Sequence, residues 1–220
     1  MKHFLTGLLF LSLLNPIFGQ KFPVILVDST YKIANAKHSP FIISSKIKIP
    51  DSLNFVLYFS VYQYHELNQI KLHFKEKKLK TTLSMKPSLI SVVFRSRKNR
   101  KYVLCINNKQ SPHAPLLHNV PFNERIGLFS HEFAHIVDYN QRNIFGVIQR
   151  GIQYLNANSK TKFEREIDAL AIQAGYGYYL YNWSSFIQLN PSISNDYKEY
   201  KLRTYMSPEE IFNQIELPKQ

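Results

Sequence analysis

The residues best suited to chemistry lie in the run Ser-His-Glu-Phe-Ala-His-Ile-Val at positions 130–137. His131 and His135 are four positions apart, so on a helix they lie about 40° apart around the axis and about 6 Å apart along it. Both imidazoles can therefore reach one cation, and zinc is the metal that this spacing favours. Glu132, beside the first histidine, can reach a water bound to that metal and accept its proton.

A third metal ligand is needed, because a catalytic zinc usually takes three protein ligands and keeps one position open. The run Phe-Glu-Arg-Glu-Ile-Asp-Ala-Leu-Ala at 163–171 offers Glu164 and Asp168 on one face of a predicted helix. One of them can bind the metal while the other accepts the spare N–H of a ligating histidine. Glu166 is the alternative metal ligand. It points about 200° away from Glu164 around the helix, so only one of the two can face the metal.

The pattern His131-Glu132-x-x-His135 followed by Glu164-x-x-x-Asp168 resembles the gluzincin metallopeptidases, the thermolysin-like branch of the zincins. The resemblance covers residues 131–168. It implies that His131, His135 and Glu164 bind zinc, that Glu132 is the catalytic base and that Asp168 orients a ligating histidine. The longer run from Phe163 also looks like uncharacterised bacterial envelope proteins with this motif, which supports the class and names no substrate.

Further polar side chains lie near these motifs. Asp138 shares the predicted helical face of both histidines, and we expect it to support the site through a hydrogen bond or to face solvent. A peptidase also needs a donor that stabilises the oxyanion of its tetrahedral intermediate. The sequence offers candidates without selecting one, namely Tyr176, Tyr178, Tyr179, Tyr181, His113 and His118.

The beginning of the chain has the pattern of an export signal. A positively charged start and the apolar run 4–14 are followed by Asn-Pro and then by the small residue Gly19. A run of about 11 apolar residues is too short to span a bilayer as a helix. We expect residues 1–19 to be a signal peptide cleaved near Gly19, with an uncleaved anchor as the alternative. Residues 20–220 are then a single secreted or periplasmic domain without a transmembrane segment.

The charge balance predicts attraction to anionic surfaces, because 28 Lys and Arg stand against 15 Asp and Glu, a formal net charge of +13. The stretch 71–101 contains eleven basic residues and the single acid Glu76. Two interpretations remain open, a basic face for an anionic envelope partner and a solvated strand face that discourages aggregation. Nucleic acid is not favoured, because aromatic residues are not regularly interleaved with these charges.

Hydrophobic periodicity predicts an α+β fold with a small mixed sheet, a zincin-like active-site helix and a second helix that bears a metal ligand. Strands are predicted at residues 24–27, 70–74, 79–85, 89–94 and 102–107. Helices are predicted at residues 51–64, 123–139, 162–181 and 208–215, with a loop-rich stretch between the second and third. From the resemblance, residues 102–107 are expected to form the edge strand that binds an extended peptide. Cys105 is the only cysteine, so an internal disulfide is excluded.

These expectations describe a secreted or periplasmic zinc-dependent metallopeptidase that hydrolyses peptide or protein substrates. The alternative is a non-catalytic, zinc-stabilised binding protein of the cell envelope with a basic surface. Both would bind the same ion. An open coordination position beside a general base would distinguish the enzyme from the binding protein.

Overall fold

The structure is a computed structural model that describes residues 41–43, 51–67, 70–111 and 113–216. The predicted signal peptide, its cleavage site and the strand predicted at 24–27 lie outside the described residues. All described residues belong to one compact unit, residues 33–220. The architecture is α+β, as the sequence predicts, with a small mixed sheet followed by a helical second half.

The sheet has four strands in the order β1-β2-β4-β3. They are β1 (Phe41–Ile43), β2 (Ile70–Lys77), β3 (Leu83–Pro87) and β4 (Lys101–Asn107). β2 runs parallel to both β1 and β4, whereas β3 is antiparallel to β4. On β2 the side chains of Leu72 and Phe74 are buried while His73 and Lys75 are exposed. One face of the sheet therefore packs on the helices and the other carries basic residues.

Eight helices occur in the described ranges. They are α1 (Asp51–Tyr62), α2 (Leu89–Phe94), α3 (Phe122–Gln141), α4 (Ile144–Gln153), α5 (Ala157–Ala171), α6 (Gly177–Leu189), α7 (Asn195–Thr204) and α8 (Pro208–Glu216). The predictions of α1, α3, α5 and α8 are confirmed. α4 falls in the stretch predicted to be loop-rich, where the side chain of Asn143 caps the helix by accepting the N–H of Gly146 at 2.9 Å. α7 was not predicted.

Two predicted strands differ from the structure. Residues 89–94 form the helix α2, because a short apolar run rich in β-branched residues does not distinguish a strand from a helix. The predicted strand 79–85 begins later, as β3. β4 is not an edge strand either, because it lies between β2 and β3 in the sheet. Among the described strands, the edge strand that contacts α3 is therefore β3.

The helix predicted at 162–181 is interrupted. A five-residue π-helical turn, Ile172–Tyr176, separates α5 from α6, and within it Gly175 has a φ of 91°. An L side chain rarely adopts this left-handed conformation, whereas glycine does so without a steric penalty. The interruption allows α6 to leave the direction of α5 and pack against α3.

The helix α3 is the centre of the helical layer. Ile126, Phe129, Phe133 and Ile136 are each fully buried, and α3 contacts β3, α1, α5 and α6. Gly127 faces α6 so closely that a Cβ there would lie 2.1 Å from the carbonyl oxygen of Tyr179. Residues 126–139 are all buried, so the polar side chains among them must find partners within the protein. No helix in the described part of the chain is long and apolar enough to cross a membrane.

Candidate metal centre

Three side chains from α3 and α5 converge inside the helical layer. Glu164 Oε2 lies 3.3 Å from His131 Nε2 and 3.3 Å from His135 Nε2. One ligand atom from each residue lies within 4.8 Å of the others, and all three residues are buried. The two sequence segments singled out for their chemistry therefore meet at one point.

The geometry at this point fits a metal better than a hydrogen-bonded cluster. Within the described residues, Glu164 Oε2 is buried without a hydrogen-bond partner, although its distance to both imidazoles is short. A buried carboxylate oxygen without a donor is costly. Two imidazole nitrogens and one carboxylate oxygen are a donor set that suits zinc, and the three residues could hold such an ion.

His131 is held from its far side by Asp168. His131 Nδ1 lies 2.8 Å from Asp168 Oδ1, a distance at which its N–H donates to the carboxylate. This contact leaves Nε2, the nitrogen nearest Glu164, as the atom that could bind a metal. The second oxygen of Asp168 accepts the backbone N–H of Met206 at 2.9 Å. The structure thus brings Asp168 to the orienting position that the sequence suggests for it.

The electrostatics at the cluster favour a positive charge. Burial opposes protonation of His131, but the hydrogen bond to Asp168 and the negative charges of Asp168 and Glu164 outweigh it and raise the pKa of His131 to about 10. Burial alone would raise the pKa of Glu164, yet interactions with His131 and His135 lower it well below its usual value. The carboxylates therefore stabilise a cation here.

Glu132 lies between this cluster and the sheet edge. Its Oε2 accepts the backbone N–H of Met85 on β3 at 2.6 Å. In an antiparallel pair, alternate residues direct their backbone groups to the neighbouring strand. The carbonyl of Thr82 and the N–H of Ser88 bond to β4, so Leu83 and Met85 direct theirs to the free edge. The carboxylate of Glu132 therefore adjoins the strand edge nearest the cluster.

The other two acids singled out in the sequence lie elsewhere. Glu166 Oε2 is 2.8 Å from Arg150 Nη1 and is partly exposed, so Glu166 is not the acid that meets the histidines. Asp138 neither supports the histidines nor faces solvent, contrary to expectation. It is buried and bound by Arg142 at 2.8 Å and by Arg150 at 2.7 Å. Burial raises the pKa of Asp138, but the two guanidinium groups outweigh burial and lower it.

Four side chains beside the cluster were missed by sequence reasoning. Tyr154 Oη donates to Glu164 Oε1 at 2.9 Å, and the ring of Tyr205 is 5.5 Å from that of His131. Lys201 Nζ lies 3.4 Å above the ring of Tyr205. Lys160 donates to the hydroxyl of Tyr200 at 2.7 Å. These residues belong to no sequence motif, and only the tertiary structure shows that they lie near the cluster.

A cavity of about 200 Å³ opens above the cluster. Its lining includes the residues of the cluster, Glu132, residues 83–85 of β3, Lys201 and Tyr205. Leu180, Trp183 and Ile187 of α6 add apolar lining. In the described part of the chain, none of the six oxyanion candidates from the sequence lines this cavity. The hydroxyl of Tyr176, for example, donates to Phe59 O instead.

Comparisons of the chain with protein-family models, with curated proteins and with solved structures found no match. The function must therefore be inferred from the geometry and chemistry of the site.

Proposed function

We propose that this chain is a secreted or periplasmic zinc-dependent metallopeptidase with His131, His135 and Glu164 as metal ligands. One observation carries the proposal. Two imidazole nitrogens and a buried, unpartnered carboxylate oxygen converge beside a cavity that a second carboxylate also lines. Three protein ligands next to open space are typical of catalytic zinc sites, whereas structural sites are closed by four.

When bound, zinc would polarise the scissile carbonyl and acidify the attacking water. Glu132 is the general base: its carboxylate takes a proton from the water as the oxygen attacks the carbonyl carbon. The same proton then passes from Glu132 to the amine nitrogen as the C–N bond breaks. The N–H of Met85 holds one oxygen of Glu132 in place.

We propose that the substrate binds as an extended peptide along β3. Residues 102–107, which the resemblance predicts to be the edge strand, lie in the inner strand β4. Among the described strands, β3 is the edge strand beside α3. The Met85 N–H is taken by Glu132 and the Leu83 carbonyl accepts the Thr81 hydroxyl at 2.7 Å, so the Leu83 N–H and the Met85 carbonyl are the groups proposed to pair with the peptide. Main-chain pairing of this kind recognises any extended polypeptide. The apolar part of the cavity lining, which includes Trp183, suits an apolar side chain next to the scissile bond.

Tyr205 is our candidate for the oxyanion donor. Its ring contacts that of His131 and lines the cavity. Burial and the nearby carboxylate of Glu164 raise the pKa of the Tyr205 phenol well above its usual value, so the hydroxyl keeps its proton at neutral pH. A protonated phenol can donate to an oxyanion, a contribution that is worth about 3 kcal/mol in well-studied enzymes.

The proposal is tested with the purified, zinc-loaded full chain and an unbiased peptide library analysed by mass spectrometry. We expect cleavage by the parent protein and none by Glu132→Gln, with the zinc content unchanged in both. Glu124→Gln is the matched control, because it makes the same change elsewhere on α3 and should retain activity. A zinc-loaded parent that cleaves nothing would favour the non-catalytic binding protein. Failure to bind zinc at all would refute both alternatives.

A further inference from the structure

Exposed apolar side chains are concentrated on one part of the surface. Among the described residues, twelve large hydrophobic side chains are exposed, and nine of them lie on α2, on α4 or directly after α4. We call these nine the α2–α4 patch: Leu89, Ile90, Val93, Phe94, Phe145, Ile148, Ile152, Tyr154 and Leu155. The side chains of Phe94 and Phe145 are each 80% exposed. Scattered apolar side chains are normal on protein surfaces, but a contiguous group of this size marks an interaction site.

Both helices turn their apolar faces outward. On α4, Phe145, Ile148 and Ile152 share one face by their spacing of three and four residues, while Val147 and Arg150 are buried on the other. This is the reverse of a surface helix in a globular protein, which hides its apolar stripe in the core.

α2 has the same reversed arrangement. It exposes Leu89, Ile90, Val93 and Phe94 and buries only Ser91 and Val92. Ser91 is held in place, because its hydroxyl donates to Ser88 O at 2.8 Å and accepts the N–H of Lys101 at 2.9 Å. The hydrogen bonds of Ser91 and the burial of Val92 therefore fix which face of α2 turns outward.

The two helices form one continuous surface. Leu89 and Ile90 on α2 and Ile148 and Ile152 on α4 line a shared groove of about 980 Å³. Residues 84–87 of β3 also line this groove. The groove therefore connects the exposed apolar residues of the two helices.

Exposed basic residues adjoin this surface, and none of its nine residues is acidic. Arg95, Arg97, Lys98 and Lys101 follow α2 directly and are exposed. Arg97 Nη1 donates to Gln141 O at 3.5 Å, which brings the basic segment to the beginning of α4. The stretches 77–123 and 139–163, which supply all nine patch residues, contain no Asp or Glu. The acids that reach these helices from α5 are paired, Glu166 with Arg150 and Glu164 with the hydroxyl of Tyr154.

We propose that the α2–α4 patch docks this protein on the surface of an anionic phospholipid bilayer. Apolar side chains enter the boundary between headgroups and acyl chains, and the basic residues contact the headgroups. A bilayer fits better than a peptide in the groove, because Val93, Phe94 and Phe145 lie outside the groove lining and project from the surface. Docking does not depend on the proposed hydrolysis.

The first test measures co-sedimentation of the full chain with vesicles of phosphatidylcholine alone or mixed with phosphatidylglycerol. We expect binding to the anionic vesicles that weakens as salt is added. Phe94→Ser and Phe145→Ser should each weaken it about tenfold, from the loss of a buried apolar side chain. Lys98→Gln should weaken it about fivefold. Leu189→Ser is the matched control, because Leu189 is equally exposed on α6 and outside the patch, and should change nothing.

A second test locates the contact and separates it from any binding by the N-terminal segment. A polarity-sensitive fluorophore is attached at Ile148→Cys and, as the control, at Leu189→Cys; the native Cys105 is buried and should not react. Anionic vesicles should shift the emission of the first label to the blue and leave the second unchanged. No shift at Ile148, or vesicle binding that the patch variants leave intact, would overturn the proposal. The proposal would also be overturned if the protein bound no vesicles and instead formed a dimer that Phe94→Ser converts to a monomer.

Discussion

The carboxylate of Asp168 joins the imidazole of His131 to a segment far away in sequence. One oxygen of Asp168 accepts from His131 Nδ1 at 2.8 Å and the other accepts the N–H of Met206 at 2.9 Å. Tyr205, the proposed oxyanion donor, immediately precedes Met206. A single buried side chain thus orients a candidate metal ligand and holds the segment that places Tyr205 over the cavity.

Replacing Asp168 by Asn should weaken zinc binding about 10- to 100-fold, because the amide no longer favours the His131 tautomer that frees Nε2. Competition with a chromophoric chelator would measure the change in zinc affinity. Asp196→Asn, an exposed position at the start of α7, should have no effect. Equal affinities for the parent and Asp168→Asn would mean that the contact does not orient a ligand.

Glu164→Ala should abolish stoichiometric zinc binding, whereas Glu166→Ala should retain it. The reason is geometric, because Glu164 meets both histidines and Glu166 instead pairs with Arg150. Zinc content per chain, measured on purified proteins by atomic emission, tests both variants together. Loss of zinc in Glu166→Ala alone would reverse the assignment of the third ligand.

Tyr205→Phe should reduce kcat about 100- to 1,000-fold while KM and zinc content change little, because only the transition state gains the phenolic hydrogen bond. Steady-state kinetics on a cleaved library peptide would separate the two parameters. Tyr62→Phe removes a hydroxyl from an exposed position on α1 and serves as the control. A rise in KM without a fall in kcat would indicate a role in substrate binding instead.

Asp138 should make stability depend on pH in the acid range. The folded-state pKa of Asp138 is lowered below the value of about 3.9 for an unfolded chain, so on acidification the unfolded chain binds the proton first. The stabilisation is complete at neutral pH and is lost from about pH 4 downward. At neutral pH, Asp138→Asn should cost about 3 kcal/mol, because Arg150 stays buried beside an uncharged partner.

Urea unfolding of the parent and of Asp138→Asn at neutral pH and near pH 3 would measure this effect. The difference in unfolding free energy between the two proteins should narrow at the lower pH. A difference independent of pH would show that the carboxylate charge of Asp138 contributes nothing to stability.

Gly127→Ala should destabilise the fold by about 2 to 3 kcal/mol, because the new Cβ would lie 2.1 Å from the backbone oxygen of Tyr179 and force α3 from α6. Gly151→Ala is the matched control on a helix with no atom within 4 Å of the new Cβ. It should stabilise the protein by up to about 1 kcal/mol. Thermal and urea unfolding would show whether Gly127→Ala lowers and Gly151→Ala raises the free energy of unfolding. Similar effects in both would contradict close packing at Gly127.

The features that the sequence predicts depend on the spacing of residues that are close together in the chain. Residues four apart on a helix share a face, so the pairing of His131 with His135 and of Glu164 with Asp168 follows from backbone geometry alone. The same locality explains the confirmed helices α1, α3 and α5. It also explains the errors at α2 and at Gly175, where a short apolar run and a single left-handed residue have no reliable local signature.

The amino-acid sequence by itself therefore determined which side chains could form a metal site and the α+β class of the fold. Tertiary structure brought Glu164, the acid that the resemblance favours over Glu166, to the two histidines. It alone decided that β3 is the edge strand beside α3 and that Tyr205 and Lys201 line the cavity. The physical reason is that these relations join segments far apart in the chain. They depend on strand order and on how helices pack, which no local spacing of residues encodes.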